Sequence, residues 1–435
     1  MMRSFLKSFK VLKFQIISLS SQKMNFDTPS FSFPICEVSC IFVETHITME
    51  KEEIKNTLLR SPLFNLSLSS KELFHSNFLA WLGEHHRAYF LAVFRDMGCA
   101  FSCPDSDYTI KREYENFDLC VLASDARIVF ILENKVKSLP RAEQLKEYEE
   151  KAVRKQKSLP ENLMLLSLAT EFPDKDIVER GPWKVRHYHQ LSEALQGQKA
   201  LLSADPYTAA LVDDYCLVIE SLHQLAQSWL PSSSEPFLLA PCEKAFCQQL
   251  RVGDLQDKIR YSQLFEELNR QLREICRVVE SADVKSIKCD SDYIRKAYTN
   301  YGFTHGQGLL EVKIKFSEDY VLLIQLQGNK YCHCIEWITD RPIPNEHEAW
   351  RLTCNLKDSV SAFLQTDELP AVFPSVCLDE AASTRRRKET RTRNFNKYGN
   401  NFLYQYRKIK EDATVSEVLR AIKEEVDALL LKQFR

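Results

Sequence analysis

Residues 117–135 read FDLCVLASDARIVFILENK, two short apolar runs on either side of Ala123-Ser124-Asp125-Ala126. The runs are rich in strand-forming residues and the segment between them is typical of a turn, so the stretch predicts a β-hairpin. Asp118 lies at the start of the first strand, and Glu133 and Lys135 end the second. Residues two apart on a strand share a face, so Glu133 and Lys135 can point to the same ion or phosphate.

The segments around this hairpin predict an α/β domain. Before it, apolar residues from Leu73 to Met97 recur at helical spacing, which predicts one or two buried helices that stop at Gly98. After it, residues 141–156 are helical in composition, and residues 162–168 form a continuous apolar run typical of a strand buried on both faces. A strand over 184–188 and helices over 190–196 and 209–229 are also predicted. The pattern favours a mixed central sheet flanked by helices.

Length and linkers predict two domains and an extension. The chain has 435 residues, which is too many for one ordinary core. With 44% hydrophobic and 27% charged residues, its composition is that of a globular protein. A proline- and serine-rich segment over 231–236 separates a predicted domain over 49–230 from one over 237–435. The second domain is predicted to be α+β, with a helix over 245–279, three strands over 308–337 and a final helix over 412–434.

The first 48 residues lack clean periodicity, whereas a charged, helix-like segment begins at Met49. We therefore predict that residues 1–48 are a disordered extension or a mis-annotated gene start. The lysines and mixed apolar run near the start do not match a secretory signal. No stretch approaches about 20 apolar residues, so no membrane span is predicted. The scattered cysteines fit reduced thiols, and we expect a cytoplasmic protein.

The charge of the chain limits how it can bind nucleic acid. Its net charge is -2, so binding to nucleic acid must come from a local patch. Residues 385–393 form a dense basic run that is followed by several aromatic residues. This combination suits contact with the nucleic-acid backbone and base stacking, although basic runs are also common in solvated loops. The predicted nucleic-acid contacts are Arg385, Arg386, Arg387, Lys388, Arg391 and Arg393.

The acids and lysine of the hairpin suit phosphodiester hydrolysis. That reaction needs charge stabilisation at phosphorus and a deprotonated water, and a carboxylate-held Mg²⁺ supplies both. Magnesium prefers hard oxygen ligands and keeps several waters, so two or three carboxylates and a backbone carbonyl suffice. The Lys135 ammonium can orient the water or stabilise the developing charge.

This segment resembles the active site of the PD-(D/E)XK nuclease superfamily, with Asp118 as the first acid and Glu133-Asn134-Lys135 as the E-x-K. Phe117 stands where the motif has proline. Gln144 and Tyr148 resemble the Q-x-x-x-Y of RecB-type members, and their spacing places them on one helix face. The region around Glu72 resembles a largely uncharacterised bacterial branch.

The resemblance implies a restriction-endonuclease-like core and a Mg²⁺-dependent nuclease, with Mn²⁺ as a substitute ion and DNA as the expected substrate. The implied metal ligands are Glu72, Asp118, Glu133 and Asn134, the last through its carbonyl. Catalysis is expected to involve Asp118, Glu133, Lys135, Gln144 and Tyr148. A symmetric cutter of duplex DNA would also need a homodimer.

Other interpretations stay open. The chain can be a catalytically silent nuclease-fold protein that binds or scaffolds, or the effector of a bacterial defence or toxin system. A zinc site is disfavoured, because His75, His85 and His86 lack closed-site spacing with cysteines. Cys332 and Cys334 flank a histidine in a predicted strand, so alternation places both thiols on one face.

Overall fold

The computed structural model describes residues 51–67, 72–136, 142–168, 181–280, 295–316, 320–338, 363–364, 366–379, 396–398 and 402–433. The chain divides into two units between Glu52 and Glu53. All elements named below belong to the second unit. The predicted extension over 1–48 lies outside the described residues, and the boundaries at 49–230 and 237–435 stay predictions.

The first sheet contains the predicted hairpin. Its strands follow chain order: β1 Thr109–Arg112, β2 Leu119–Leu122, β3 Ile128–Lys135, β4 Asn162–Ser167 and β5 Trp183–His187. The β1–β2 and β2–β3 pairs are antiparallel, whereas β3–β4 and β4–β5 are parallel. The sheet is therefore mixed, and the carboxyl ends of β3, β4 and β5 meet at one edge.

Helices cover this sheet on both faces. They are α1 Pro62–Ser67, α2 Glu72–His85, α3 Arg87–Asp96, α4 Ala142–Gln156, α5 Tyr188–Gly197 and α6 Pro206–Ser228. The helical spacing from Leu73 to Met97 thus belongs to two helices. The stop at Gly98 is confirmed: its φ is +94°, a left-handed conformation that glycine adopts without a steric cost.

Strand alternation divides the core of this region into two layers. Leu132, Met164 and Leu166 pack with residues of α2, α3, α5 and α6. Ile131 and Leu165 point to the other face and pack with Leu145 of α4. All residues of β2, β3 and β4 are buried, as expected for continuous apolar strands. Because helices cover both faces of the sheet, polar side chains can lie together only at the ends of its strands.

A second mixed sheet follows in the chain. Its strands are β6 Arg277–Glu280, β7 Lys296–Thr304, β8 Gln307–Lys315, β9 Tyr320–Gln327, β10 Lys330–Trp337, β11 Asn396–Tyr398 and β12 Phe402–Lys408. Their order is β11-β12-β10-β9-β8-β7-β6, and β6 runs parallel to β7 while the other pairs are antiparallel. The accompanying helices are α7 Pro241–Gln249, α8 Gly253–Leu272, α9 Leu369–Val372 and α10 Val415–Gln433.

The predicted helix over 245–279 is wrong in part. Helix α7 ends at Gln249 and α8 begins at Gly253, with Arg251 at a left-handed φ of 56° between them. Residues 277–280 form β6 instead, because Val278 and Val279 pair with β7. Local helical composition did not reveal this pairing.

The predicted fold class is confirmed: a restriction-endonuclease-like core with a mixed sheet between helices precedes a second sheet with its own helices. Cys332 and Cys334 share one face with Leu323, as alternation predicts, while His333 contacts Glu425 at 2.9 Å. Among the described helices, none combines the length and apolar character needed to cross a bilayer.

Candidate active site

Asp118 contacts the end of β3 directly. It precedes β2, and its Oδ2 accepts a 2.7 Å hydrogen bond from the backbone N–H of Asn134. The neighbouring Lys135 carbonyl accepts from Leu168 N at 3.0 Å on the β4 side. Successive carbonyls of a strand point to opposite edges, so the Asn134 carbonyl leaves β3 on the side of Asp118. A carboxylate and a backbone carbonyl therefore lie at one strand edge.

Glu133 and Lys135 share one face of β3, as their spacing predicts. Lys135 Nζ lies 2.8 Å from Glu133 Oε1, and the two side chains are only 10% and 3% exposed. An ion pair this buried is screened little by solvent, so each charge acts strongly on a nearby group. The pair forms the centre of the site.

Gln144 and Tyr148 on α4 complete this face. Gln144 Nε2 donates to Tyr148 Oη at 3.0 Å and to Glu133 Oε1 at 3.4 Å. Tyr148 Oη donates to the same Glu133 oxygen at 3.5 Å. Burial, followed by the charge of Glu133, raises the pKa of Tyr148, so the phenol stays protonated at neutral pH and remains a donor.

The Asn134 side chain points to the opposite face of β3. Its Nδ2 donates to Ser76 Oγ on α2 at 2.6 Å, and Tyr188 Oη donates to its Oδ1 at 3.5 Å. Asn134 and Ser76 are both buried. These contacts fix the end of β3 against α2 and α5. Sequence patterns give no signal for the Ser76 contact, because its partners are 58 residues apart.

The donor set suits a divalent metal with hard-oxygen preference. Among the described residues, the oxygens at this end of β3 include the carboxylates of Asp118 and Glu133 and the backbone carbonyl of Asn134. Within the described residues, no group of three or more His, Cys, Asp or Glu is arranged to hold a metal ion. Mg²⁺ needs fewer protein ligands than that because it keeps several waters. The residues present therefore fit such an ion.

For two sets of predicted site residues, the side chains are not among those that the structure describes. Glu72 begins α2, but its side chain is not among the described ones. The basic residues Arg385, Arg386, Arg387, Lys388, Arg391 and Arg393 lie outside the described residues. Their predicted roles in metal and nucleic-acid binding stay predictions.

The structure also adds residues to the rim of the site. Ser167 pairs with Lys135, and His187 pairs with Ser167, so the three form one row across the carboxyl ends of β3, β4 and β5. Paired residues of neighbouring strands point to the same face, which here is the face of Glu133. Ser167 ends an apolar run and His187 ends a short strand, and only the parallel pairing brings them beside Lys135.

A comparison with protein-family models identifies the region that holds this site. Residues 63–216 match the model of the PD-(D/E)XK nuclease superfamily. This segment belongs to that superfamily. The PD-(D/E)XK segment contains the whole first sheet and every described group of the candidate site, which supports a nuclease-type function. Its RecB-type subtype and bacterial branch stay predictions. No curated protein and no solved structure matched the chain significantly.

Proposed function

We propose that the chain is a divalent-metal-dependent nuclease that hydrolyses phosphodiester bonds, with DNA as substrate and Mg²⁺ or Mn²⁺ as cofactor. The observation that supports this most is the convergence of Asp118, Glu133 and Lys135 at one edge of the sheet. The carboxylate of Asp118 is bound to the backbone beside the ion pair of the other two. This is the charge pattern that phosphodiester hydrolysis requires.

Asp118, Glu133 and the Asn134 carbonyl would hold the ion. When bound, a divalent metal stabilises negative charge on phosphate oxygens and lowers the pKa of a water molecule. Oxygen-only ligation favours Mg²⁺ or Mn²⁺ over softer ions. The contacts of Asn134 with Ser76 and Tyr188 keep the carbonyl edge of β3 in place.

Lys135 supplies the positive side chain of the site. Its ammonium is held 2.8 Å from Glu133 and is largely shielded from water, so it can donate to a non-bridging phosphate oxygen or to the attacking water. A preorganised charge in a low-dielectric site stabilises developing charge without reorganisation. Gln144 and Tyr148 donate to Glu133 and hold its carboxylate in one orientation.

Tyr148→Phe is expected to lower kcat/KM about 10-fold, because it removes a hydrogen bond to the proposed metal ligand Glu133. Loss of such a bond typically lowers activity by about 10- to 100-fold. Steady-state cleavage rates measure this. The variant should remain folded, because the ring of residue 148 packs edge-on against Phe117 and loses only its hydroxyl. Tyr207→Phe, at a 70% exposed position, is the matched control and should cut like the wild type. Equal rates for Tyr148→Phe and the wild type would exclude a role for this hydroxyl.

The remaining finer features of the proposal rest on the sequence. DNA is the proposed substrate, with RNA as the alternative that the substrate panel below tests, and residues 237–435 are proposed to position substrate or a partner. A homodimer would allow cutting of both strands of a duplex. Cytoplasmic location and a role as a bacterial defence or toxin effector stay predictions.

The test is a substrate and metal panel with the purified full chain. Supercoiled plasmid, linear duplex, single-stranded DNA and RNA are incubated with Mg²⁺, Mn²⁺ or EDTA. We expect cutting of DNA with either metal and none with EDTA. Cutting that persists in EDTA would exclude metal dependence. No cutting of any substrate by well-folded protein would favour the silent binding interpretation instead.

A further inference from the structure

We propose that Ser167, His189 and His223 form a second phosphate-binding subsite beside the catalytic residues, which holds the substrate backbone next to the scissile phosphate. This inference rests on the proposed function, because it assigns the ligand as the phosphodiester backbone of the same nucleic acid. None of the three residues belongs to the motifs by which the sequence resembles the superfamily. The subsite lies at the carboxyl ends of β4 and β5.

Ser167 provides the first observation. Its side chain is fully buried, and its Oγ has no hydrogen-bond partner in the part of the chain that the structure describes. A buried hydroxyl without a partner costs about 1–3 kcal/mol, so such groups usually serve a ligand or water. Its register with Lys135 places it on the catalytic face, one strand away from the ion pair.

A row of imidazoles provides the second, independent observation. The rings of His187 and His189 are stacked with centroids 5.8 Å apart, and those of His189 and His223 are 4.6 Å apart. The Nδ1 atoms of His189 and His223 are buried and have no hydrogen-bond partner among the described residues. His187 pairs with Ser167 across the parallel strands, so the row begins beside the buried hydroxyl.

Burial keeps the His223 ring uncharged at neutral pH. Burial lowers the pKa of His223 to about 4, with smaller contributions from His189 and His187, while a hydrogen bond to the Leu168 backbone acts in the opposite direction. The hydrogen bond to Leu168 uses the one N–H of this neutral ring, so His223 packs against His189 and lines the subsite without donating to the phosphate. A phosphate oxygen can accept from Ser167 Oγ–H and from a His189 Nδ1–H, which would satisfy two atoms that have no partner among the described residues.

The position of the subsite favours a phosphate of the substrate chain itself. Lys135 and His187 are two strands apart, which is about 10 Å between backbones. A nucleic-acid strand of a few nucleotides is longer than this distance. A nucleic acid whose scissile phosphate lies at Glu133 and Lys135 would therefore bring a neighbouring phosphate to Ser167 and the histidines.

The test measures binding without turnover. Fluorescence anisotropy of a short labelled DNA duplex, in EDTA at neutral pH and low salt, gives Kd for the full-length wild type, Ser167→Ala and His189→Gln/His223→Gln. We expect Kd to rise about 10-fold in each variant, as for loss of a hydrogen bond to a charged group. Ser203→Ala and His85→Gln alter exposed residues and should leave Kd unchanged. Removing an unsatisfied hydroxyl should not destabilise Ser167→Ala, so this variant keeps the test valid if the double histidine variant folds poorly.

Cleavage of the same duplex with Mg²⁺, measured for the wild type, separates the two proposals. If the wild type binds and cuts DNA while both subsite variants bind it with unchanged Kd, the subsite is excluded and the nuclease proposal stands. If the wild type neither binds nor cuts any nucleic acid in the panel, both proposals fail. Weaker binding in Ser167→Ala with unaltered controls supports the subsite.

Discussion

Glu133→Gln is expected to lower phosphodiester cleavage by about 10²–10³-fold or more, at least as much as loss of one preorganised electrostatic group. Glutamine keeps the size of the side chain and one oxygen, but it removes the negative charge that would hold the ion and that orients Lys135. Glu133 is almost completely buried and contacts Lys135, Gln144 and Tyr148. A neutral amide at this position cannot replace a carboxylate ligand.

The measurement is the initial rate of plasmid or oligonucleotide cutting under saturating Mg²⁺. Glu150→Gln is the matched control, because Glu150 is an exposed glutamate on α4 that the candidate site does not use. It should cut at the wild-type rate. Circular dichroism of both variants shows whether they are folded. If folded Glu133→Gln retains more than about a tenth of the wild-type rate, Glu133 cannot be a metal ligand of the reaction.

Lys135→Met is expected to reduce cleavage by a similar factor and also to destabilise the metal-free protein. The substitution leaves the Glu133 carboxylate buried without its ion-pair partner, and breaking a buried pair on one side costs about 3–5 kcal/mol. The methionine side chain has nearly the length of lysine and fills the same space. The loss of stability would therefore come from charge rather than from packing.

The double variant Glu133→Gln/Lys135→Met distinguishes these effects. The double variant removes the buried Glu133 carboxylate together with the Lys135 charge, so it should be more stable than Lys135→Met although it remains inactive. Urea unfolding in EDTA measures this for wild type, both single variants and the double variant. If the double variant is less stable than Lys135→Met, the 2.8 Å pair does not explain the stability change.

Local patterns in the sequence predict which side chains meet at the centre of the candidate site. Alternation alone places Glu133 and Lys135 on one face, and helical spacing alone joins Gln144 to Tyr148, which the 3.0 Å hydrogen bond confirms. The hairpin brings Asp118 to the end of β3 because its two strands are joined by a short turn. These features depend on residues close in sequence, so composition and spacing are sufficient to find them.

Features that depend on distant pairing could not be predicted in this way. Ser76 reaches Asn134 only after α2 packs on β3, and Ser167 and His187 reach the row of Lys135 only through the parallel register. A parallel register is set by the packing of helices on both faces and leaves no short-range mark. The same reason explains why β6 was hidden in a segment of helical composition: its pairing with β7 decides its conformation.

The most direct test of the proposed metal site is Mn²⁺ binding to the metal-free full chain, measured by isothermal titration calorimetry without substrate. We predict saturable binding to the wild type and at least a 10-fold loss of affinity in Asp118→Asn and in Glu133→Gln, while Glu150→Gln binds like the wild type. Unchanged Mn²⁺ affinity in both site variants would contradict the assignment of Asp118 and Glu133 as the metal ligands of a nuclease.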